Sequence, residues 1–301
     1  MAFTSAPPSA DEGETKTYTY SASDTDGDVL NLVAGAPGCG ANGTRASSSF
    51  DPGTGAGSFD CSFPDGPAGS TVSVQVTDGA AGSNASSQLV AIANVAPTVA
   101  FTSAPASADE GQTKTYSYSI SDPGTDTVDS VVTSCGGNGT KSNASNSDTG
   151  GTFDCSFPDG PASSTVSVQA TDSDGAAGNT GTQLVQVANV APTVTLDGPN
   201  PVDEGTSHTY TFSVSDPGED TFAVDPDYLT CGSGGAYVED SLSTDASGGS
   251  FDCSFPDGPA TTSVAVKVTD SDGGSDAASE TTKAVSVSNV CLLYTSDAAD
   301  E

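Results

Sequence analysis

Phe59-Asp-Cys-Ser-Phe-Pro-Asp-Gly-Pro67 is repeated without change at residues 153–161 and 251–259. In Phe-x-Cys-x-Phe, two-residue alternation places both rings and the thiol on one face of a strand, and a face carrying two Phe must be the buried one. The Pro-Asp-Gly-Pro that follows supplies a fixed φ, a local side-chain acceptor and a permissive glycine, so the strand ends there in a turn. The copies start 94 and 98 residues apart. That is the length of a small domain rather than of a solenoid repeat, and it divides the 301 residues into three units.

Six of the 7 cysteines follow the same period, as Cys39 and Cys61, Cys135 and Cys155, and Cys231 and Cys253. An even pair per unit, with neither a second cysteine nor a histidine at metal-binding spacing, reads as one disulfide per domain rather than a zinc or redox site. Closing a loop of about 20 residues removes roughly 3 kcal/mol of unfolded-chain entropy. The units have no Trp and few large apolar residues, so they need such a staple. The implied compartment is oxidising, placing the protein outside the cell, secreted or on the surface.

Around the repeated strand, the third copy reads as a series of short strands. These are 194–196, 207–215, 222–231 (interrupted near Pro226 and ending at Cys231), 250–255, a Val264/Val266/Val268 strand and a last strand holding Val285 and Val287. About seven strands with one apolar face each, and no helical period, predict an all-β fold. The expected architecture is three tandem immunoglobulin-like antiparallel β-sandwiches. A low Val, Leu, Ile and Phe content with high net charge would also fit a disordered chain. The clean alternation, paired cysteines and regular turn signals argue against disorder.

The linkers Asn94-Val-Ala-Pro-Thr-Val99 and Asn189-Val-Ala-Pro-Thr-Val194 set the expected domains at 1–93, 94–188 and 189–290. Met1 takes the place of Val99, so the first copy is expected to start inside a repeat. Asn289-Val290 begins the linker again, but residues 291–301 then depart from it. That string resembles a translated frame of a sequencing-library adapter and is expected to be a non-native tail that carries the odd Cys291, with the natural protein continuing into another repeat.

The linker, the Asp-Glu-Gly turn, the strand His208-Thr-Tyr-Thr-Phe-Ser-Val-Ser215 with its Asp-Pro-Gly, and Val264-x-Val-x-Val-Thr-Asp-Ser-Asp-Gly273 resemble the PKD-type repeats of bacterial extracellular proteins. The resemblance covers residues 2–290. The Trp-Asp-Phe-Gly-Asp-Gly signature of many PKD domains is replaced by Cys39-Gly-Ala-Asn-Gly43 and its counterparts at Cys135 and Cys231. The resemblance implies a non-catalytic module, found in tandem on surface proteins or beside the catalytic domains of secreted hydrolases.

The balance of 6 basic against 40 acidic residues, a formal charge of −34, excludes nucleic acid and anionic lipid as partners and favours divalent cations. No apolar run reaches the ~18 residues of a membrane span, so direct membrane insertion of this stretch is not expected. In a sandwich, the Asp-Pro-Gly loop and the Asp-Ser-Asp-Gly loop share the end where the chain enters. The Asp-Glu-Gly and Phe-Pro-Asp-Gly turns share the end where it leaves. Stacking the domains then brings Asp109, Glu110 and Asp159 against Asp216, Glu219, Asp220, Asp270 and Asp272 at the second joint. Hard oxygen donors in that number suit Ca²⁺, which takes six to eight. The alternative is that they are solvated turn residues. Asp24-Thr-Asp-Gly-Asp28 resembles the start of a calcium loop, without the downstream Glu or the helices.

His208, the only histidine, is expected on an exposed strand position, and a single histidine rules out a Ser/His/Asp triad in each repeat. The carboxylate pairs sit on turns without a cleft, against glycosidase chemistry, and no glycine loop precedes a helix as a phosphate site would. Tyr18, Tyr20, Tyr116 and Tyr118 are expected in the core rather than on a sugar-binding face. No enzyme is expected. The main expectation is a stalk or spacer and adhesion module of a large bacterial surface or secreted protein, stiffened by Ca²⁺ and meeting a surface polysaccharide or protein ligand. The alternatives are accessory attachment modules of a secreted hydrolase and, more remotely, a catalytic domain in its own right.

Overall fold

A computed structural model describes residues 1–79, 83–275 and 277–290. Cys291 and the expected non-native tail 291–301 lie outside them. The first repeat contains β1 (Ala2–Ser5), β2 (Ser9–Asp11), β3 (Thr15–Ser21), β4 (Asn31–Leu32), β5 (Thr44–Asp51), β6 (Ala56–Ser62), β7 (Ala68–Thr77) and β8 (Ser83–Ala93). They form two sheets, in the orders β1-β3-β6-β5 and β2-β8-β7-β4. The second repeat copies this with β9 (Thr98–Ser103), β10 (Ser107–Asp109), β11 (Thr113–Ser121), β12 (Val128–Ser134), β13 (Thr140–Ser147), β14 (Gly150–Ser156), β15 (Ala162–Asp172) and β16 (Ala177–Ala188). The third has β17 (Thr193–Asp197), β18 (Val202–Asp203), β19 (Thr206–Ser215), β20 (Phe222–Val224), β21 (Ala236–Tyr237), β22 (Ser243–Asp245), β23 (Gly248–Phe255), β24 (Ala260–Asp270) and β25 (Glu280–Ser288).

Each unit is therefore an immunoglobulin-like sandwich of two mostly antiparallel sheets. The first strand changes sheet part-way. β1 pairs antiparallel with β3, and β2 then pairs parallel with β8. The prolines between the two halves, such as Pro7 and Pro8, lack the N–H that would continue the ladder. The crossing is held by a buried tyrosine, with Tyr18 donating to Pro7 O (3.3 Å), Tyr116 to Pro105 O (3.1 Å) and Tyr210 to Pro199 O (3.0 Å).

The repeated Phe-x-Cys-x-Phe strands are β6, β14 and β23 with the residue that follows the first two. All three inward side chains are at most 1% exposed in every copy. Across the sheet Tyr18 pairs with Phe59, Tyr116 with Phe153 and Tyr210 with Phe251, and their rings stack at 5.4, 5.6 and 6.2 Å. Tyr20 and Tyr118 are buried with them, so the four alternating tyrosines are core residues. Each repeat has its own apolar cluster, spanning Ala10 to Ile92, Val99 to Val187 and Val194 to Val287.

One disulfide clamps each sandwich: Cys39–Cys61, Cys135–Cys155 and Cys231–Cys253, with Cα separations of 5.6, 5.5 and 5.7 Å. Two expectations need correction. The third strand of the last repeat covers only Phe222–Val224, because the chain turns over Asp225, whose Oδ1 accepts from Asp227 N. It rejoins the neighbouring strand through a single bridge, Thr230 to Ala265, and this is what carries Cys231 to its partner. His208 is half-buried rather than exposed, since it shares the inward phase of Tyr210 and Phe212 at the strand's outer end and faces Phe255 at 6.4 Å.

Candidate metal sites at the domain joints

The exit end of each repeat is built on the Asp-Glu-Gly turn. β2 ends at Asp11, whose N–H is capped by Glu14 Oε2, and Gly13 turns the chain at φ +74°. This leaves Glu12 pointing inward, 1% exposed. Its Oε2 accepts Gly66 N (3.1 Å) from the Pro-Asp-Gly-Pro turn, and its Oε1 accepts Val95 N (2.8 Å) from the linker. Glu110 does the same with Gly160 N and Val190 N, and Glu204 with Gly258 N and Val290 N. One glutamate thus ties the exit turn to the departing chain.

The entry end is built on the loops that follow the second and sixth strands of the fold. Asp172, fully buried, accepts Asp174 N and Ala176 N on Oδ1 and the Asn94 side-chain amide on Oδ2 (2.9 Å). Asp270 repeats this with Asp272 N, Gly274 N and Asn189 Nδ2 (3.0 Å). The linker asparagine is thereby oriented with its Oδ1 turned away from Asp172 or Asp270. Across each joint, one backbone hydrogen bond docks the loops: Thr125 N to Pro64 O (3.0 Å) and Glu219 N to Pro158 O (3.1 Å).

This docking assembles carboxylates from both domains. At the first joint, oxygens of Glu12, Asp65, Asp126 and Asp174 lie within 4.8 Å of one another. At the second joint the same holds for Glu110, Asp159, Asp220 and Asp272. Like charges about 4 Å apart repel by roughly 1 kcal/mol in water and about 4 kcal/mol at an effective dielectric near 20. The two ion pairs found among the described residues, Lys16–Glu14 and Lys283–Asp197, involve none of these groups.

The carboxyls respond accordingly. Asp126 is pushed up to about 6, first by burial and then by Glu12, Asp174 and Asp65. Asp122 and Asp216 are also raised, mainly by burial and then by neighbouring carboxylates. Burial raises Glu110 against the pull of its two backbone donors. Asp272 rises through desolvation and then through Asp220, Asp159 and Asp270. Several oxygens are completely shielded yet have no hydrogen-bond donor: Oδ2 of Asp126, Asp216 and Asp220, and Oδ1 of Asn94 and Asn189; those of Asp122 are shielded too, with only the Gly124 amide nearby.

Of the eight acidic residues expected at the second joint, four form this group. Asp216 and Asp270 lie beside it and act on each other electrostatically. Asp109 and Glu219 do not join it. Each immediately precedes a member, Glu110 or Asp220, so it projects from the opposite side of the chain and is exposed; Asp109 instead accepts the Gln112 side-chain amide. Asp24 accepts the amides of Asp26 and Gly27 in its own turn. The linker asparagines were missed by motif reasoning, although their recurrence at both linkers was a usable signal.

No family model matches the chain, and no curated protein matches it. Among solved structures it is similar to an endo-fucoidan hydrolase of glycoside hydrolase family 107, at 12% identity over 96% of this chain and 43% of that one, with a TM-score of 0.30. It is similar to the N-terminal eight immunoglobulin domains of Down syndrome cell adhesion molecule at 14% identity, over 94% of this chain and 35% of that one, TM-score 0.28. It is also similar to Drosophila N-cadherin EC1-3 at 12% identity, over 90% and 92%, TM-score 0.31. The chain spans less than half the length of the first two. At these identities the likeness is one of fold alone.

Proposed function

We propose that this chain is a non-catalytic extracellular stalk, a row of disulfide-stapled PKD-type modules that Ca²⁺ stiffens at the joints. One observation carries the reading: each joint collects carboxylates from two domains and shields oxygens that no protein donor satisfies. A buried anionic oxygen without a partner is costly, and a hard divalent cation with six to eight oxygen ligands removes both that cost and the mutual repulsion. A cation shared by two domains opposes their bending, which is what a spacer needs. The three disulfides support placement in an oxidising compartment outside the cell.

The test is small-angle X-ray scattering of the protein in CaCl₂ and in chelator. The expected result is a narrower distribution of dimensions with Ca²⁺, the extended form being favoured. Superimposable profiles, together with no heat on Ca²⁺ titration, would remove the basis for the reading.

A further inference from the structure

The first joint contains a second donor group, Asp122, Asp126 and Asp172, whose oxygens also lie within 4.8 Å of one another. It overlaps the first group in one residue, Asp126. The two groups differ in setting. Asp65 and Asp174 of the first group are exposed, whereas the second has no exposed member. Asp172 is fully buried and anchors this inner group, with the Asn94 amide held on its Oδ2. Both oxygens of Asp122 are shielded, with the Gly124 amide as their only nearby donor, and Asp126 Oδ2 is shielded and without one. A single cation among the first four carboxylates leaves these inner oxygens unsatisfied.

We infer that the first joint binds two divalent cations, a rim ion and an inner ion, bridged by one aspartate. At the first joint the rim ion sits among Glu12, Asp65, Asp126 and Asp174. The inner ion is held by Asp122, Asp126 and Asp172, with the two oxygens of Asp126 divided between them. At the second joint, among the described residues, only the rim group of Glu110, Asp159, Asp220 and Asp272 meets that spacing, so one ion is expected there.

Charge points the same way. Six carboxylates meet at the first joint; one dication would leave most of that charge uncompensated in a partly desolvated site, and two would leave a modest excess. Ca²⁺ suits a shared carboxylate because it accepts irregular coordination, whereas Mg²⁺ keeps several waters in a strict octahedron. The inference rests on the calcium-stiffened reading above.

The experiment counts bound ions on the whole chain by equilibrium dialysis at about 1 mM free Ca²⁺, the concentration range of extracellular modules, with folding of each variant checked by its melting curve. The inference predicts three ions per wild-type chain, two for Asp122→Asn, two for Asp65→Asn and one for Asp126→Asn, the bridge serving both ions of its joint. Two ions in the wild type, unchanged by Asp122→Asn, would overturn the paired site and leave the stalk reading standing. Loss of only one ion in Asp126→Asn would overturn the bridge. No bound Ca²⁺ at all would overturn both. Because the wild-type count is decisive alone, a variant that fails to fold does not rescue the inference.

Discussion

Replacing Gly111 by alanine should break the second joint, while the same change at Gly205 should not. Both glycines close an Asp-Glu-Gly turn in the left-handed region, at φ +72° and +74°. The local cost of an L-residue there, about 1–2 kcal/mol, is common to both. Their surroundings differ. A Cβ on Gly111 would lie 2.4 Å from the carbonyl oxygen of Pro217 in the next repeat, whereas one on Gly205 has nothing within 4 Å. Ordinary carbon–oxygen contact begins at about 3.3 Å, so the domains must part by roughly 1 Å.

That movement lengthens the Glu219 N to Pro158 O bond beyond hydrogen-bonding range, a further loss of about 1 kcal/mol. It also separates Glu110 and Asp159 from Asp220 and Asp272. Gly111→Ala should therefore weaken Ca²⁺ binding at that joint about five-fold or more, since 1.4 kcal/mol is a factor of ten, and broaden the scattering profile. Gly205→Ala should lose stability in its own repeat and leave both readouts near wild type. If the two variants gave the same Ca²⁺ titration and the same scattering, the close docking of the domains would be refuted.

Three further outcomes follow from the same geometry. The double replacement Cys135→Ala with Cys155→Ala opens a loop of 20 residues and should cost the second repeat about 3 kcal/mol in denaturant unfolding, with the other two repeats unaffected. Burial raises the phenols of Tyr18, Tyr20, Tyr116, Tyr118 and Tyr210 above their ordinary value. Since the unfolded chain releases these protons near pH 10 and the fold retains them, that stability is present below about pH 10 and lost as pH rises past it; the phenolate absorbance of these five tyrosines should appear together with unfolding rather than before it. Glu110→Gln keeps one acceptor for the two donors Gly160 N and Val190 N and should speed hydrogen exchange at whichever of these amides is left without an acceptor, reflecting a loss of about 1–3 kcal/mol.

Sequence alone determined the repeat, the sandwich and the sulfur pairing. These follow from short-range rules: alternation decides which side chains are buried, and a thiol flanked by two inward Phe must point inward with them. It also placed acidic turns at the two ends of each unit, because strand count fixes which loops share an end. Which of those carboxylates converge was decided by the tertiary structure. Asp109 and Glu110 are adjacent and chemically alike, yet one is exposed and the other is bound by two backbone amides, a difference set by a single step along the chain. The linker asparagine gains its part only once Asp172 or Asp270 orients its amide, and Asp126 becomes a shared residue only when two domains dock. Contacts across a joint depend on the relative placement of separately folded bodies, and no local pattern encodes that.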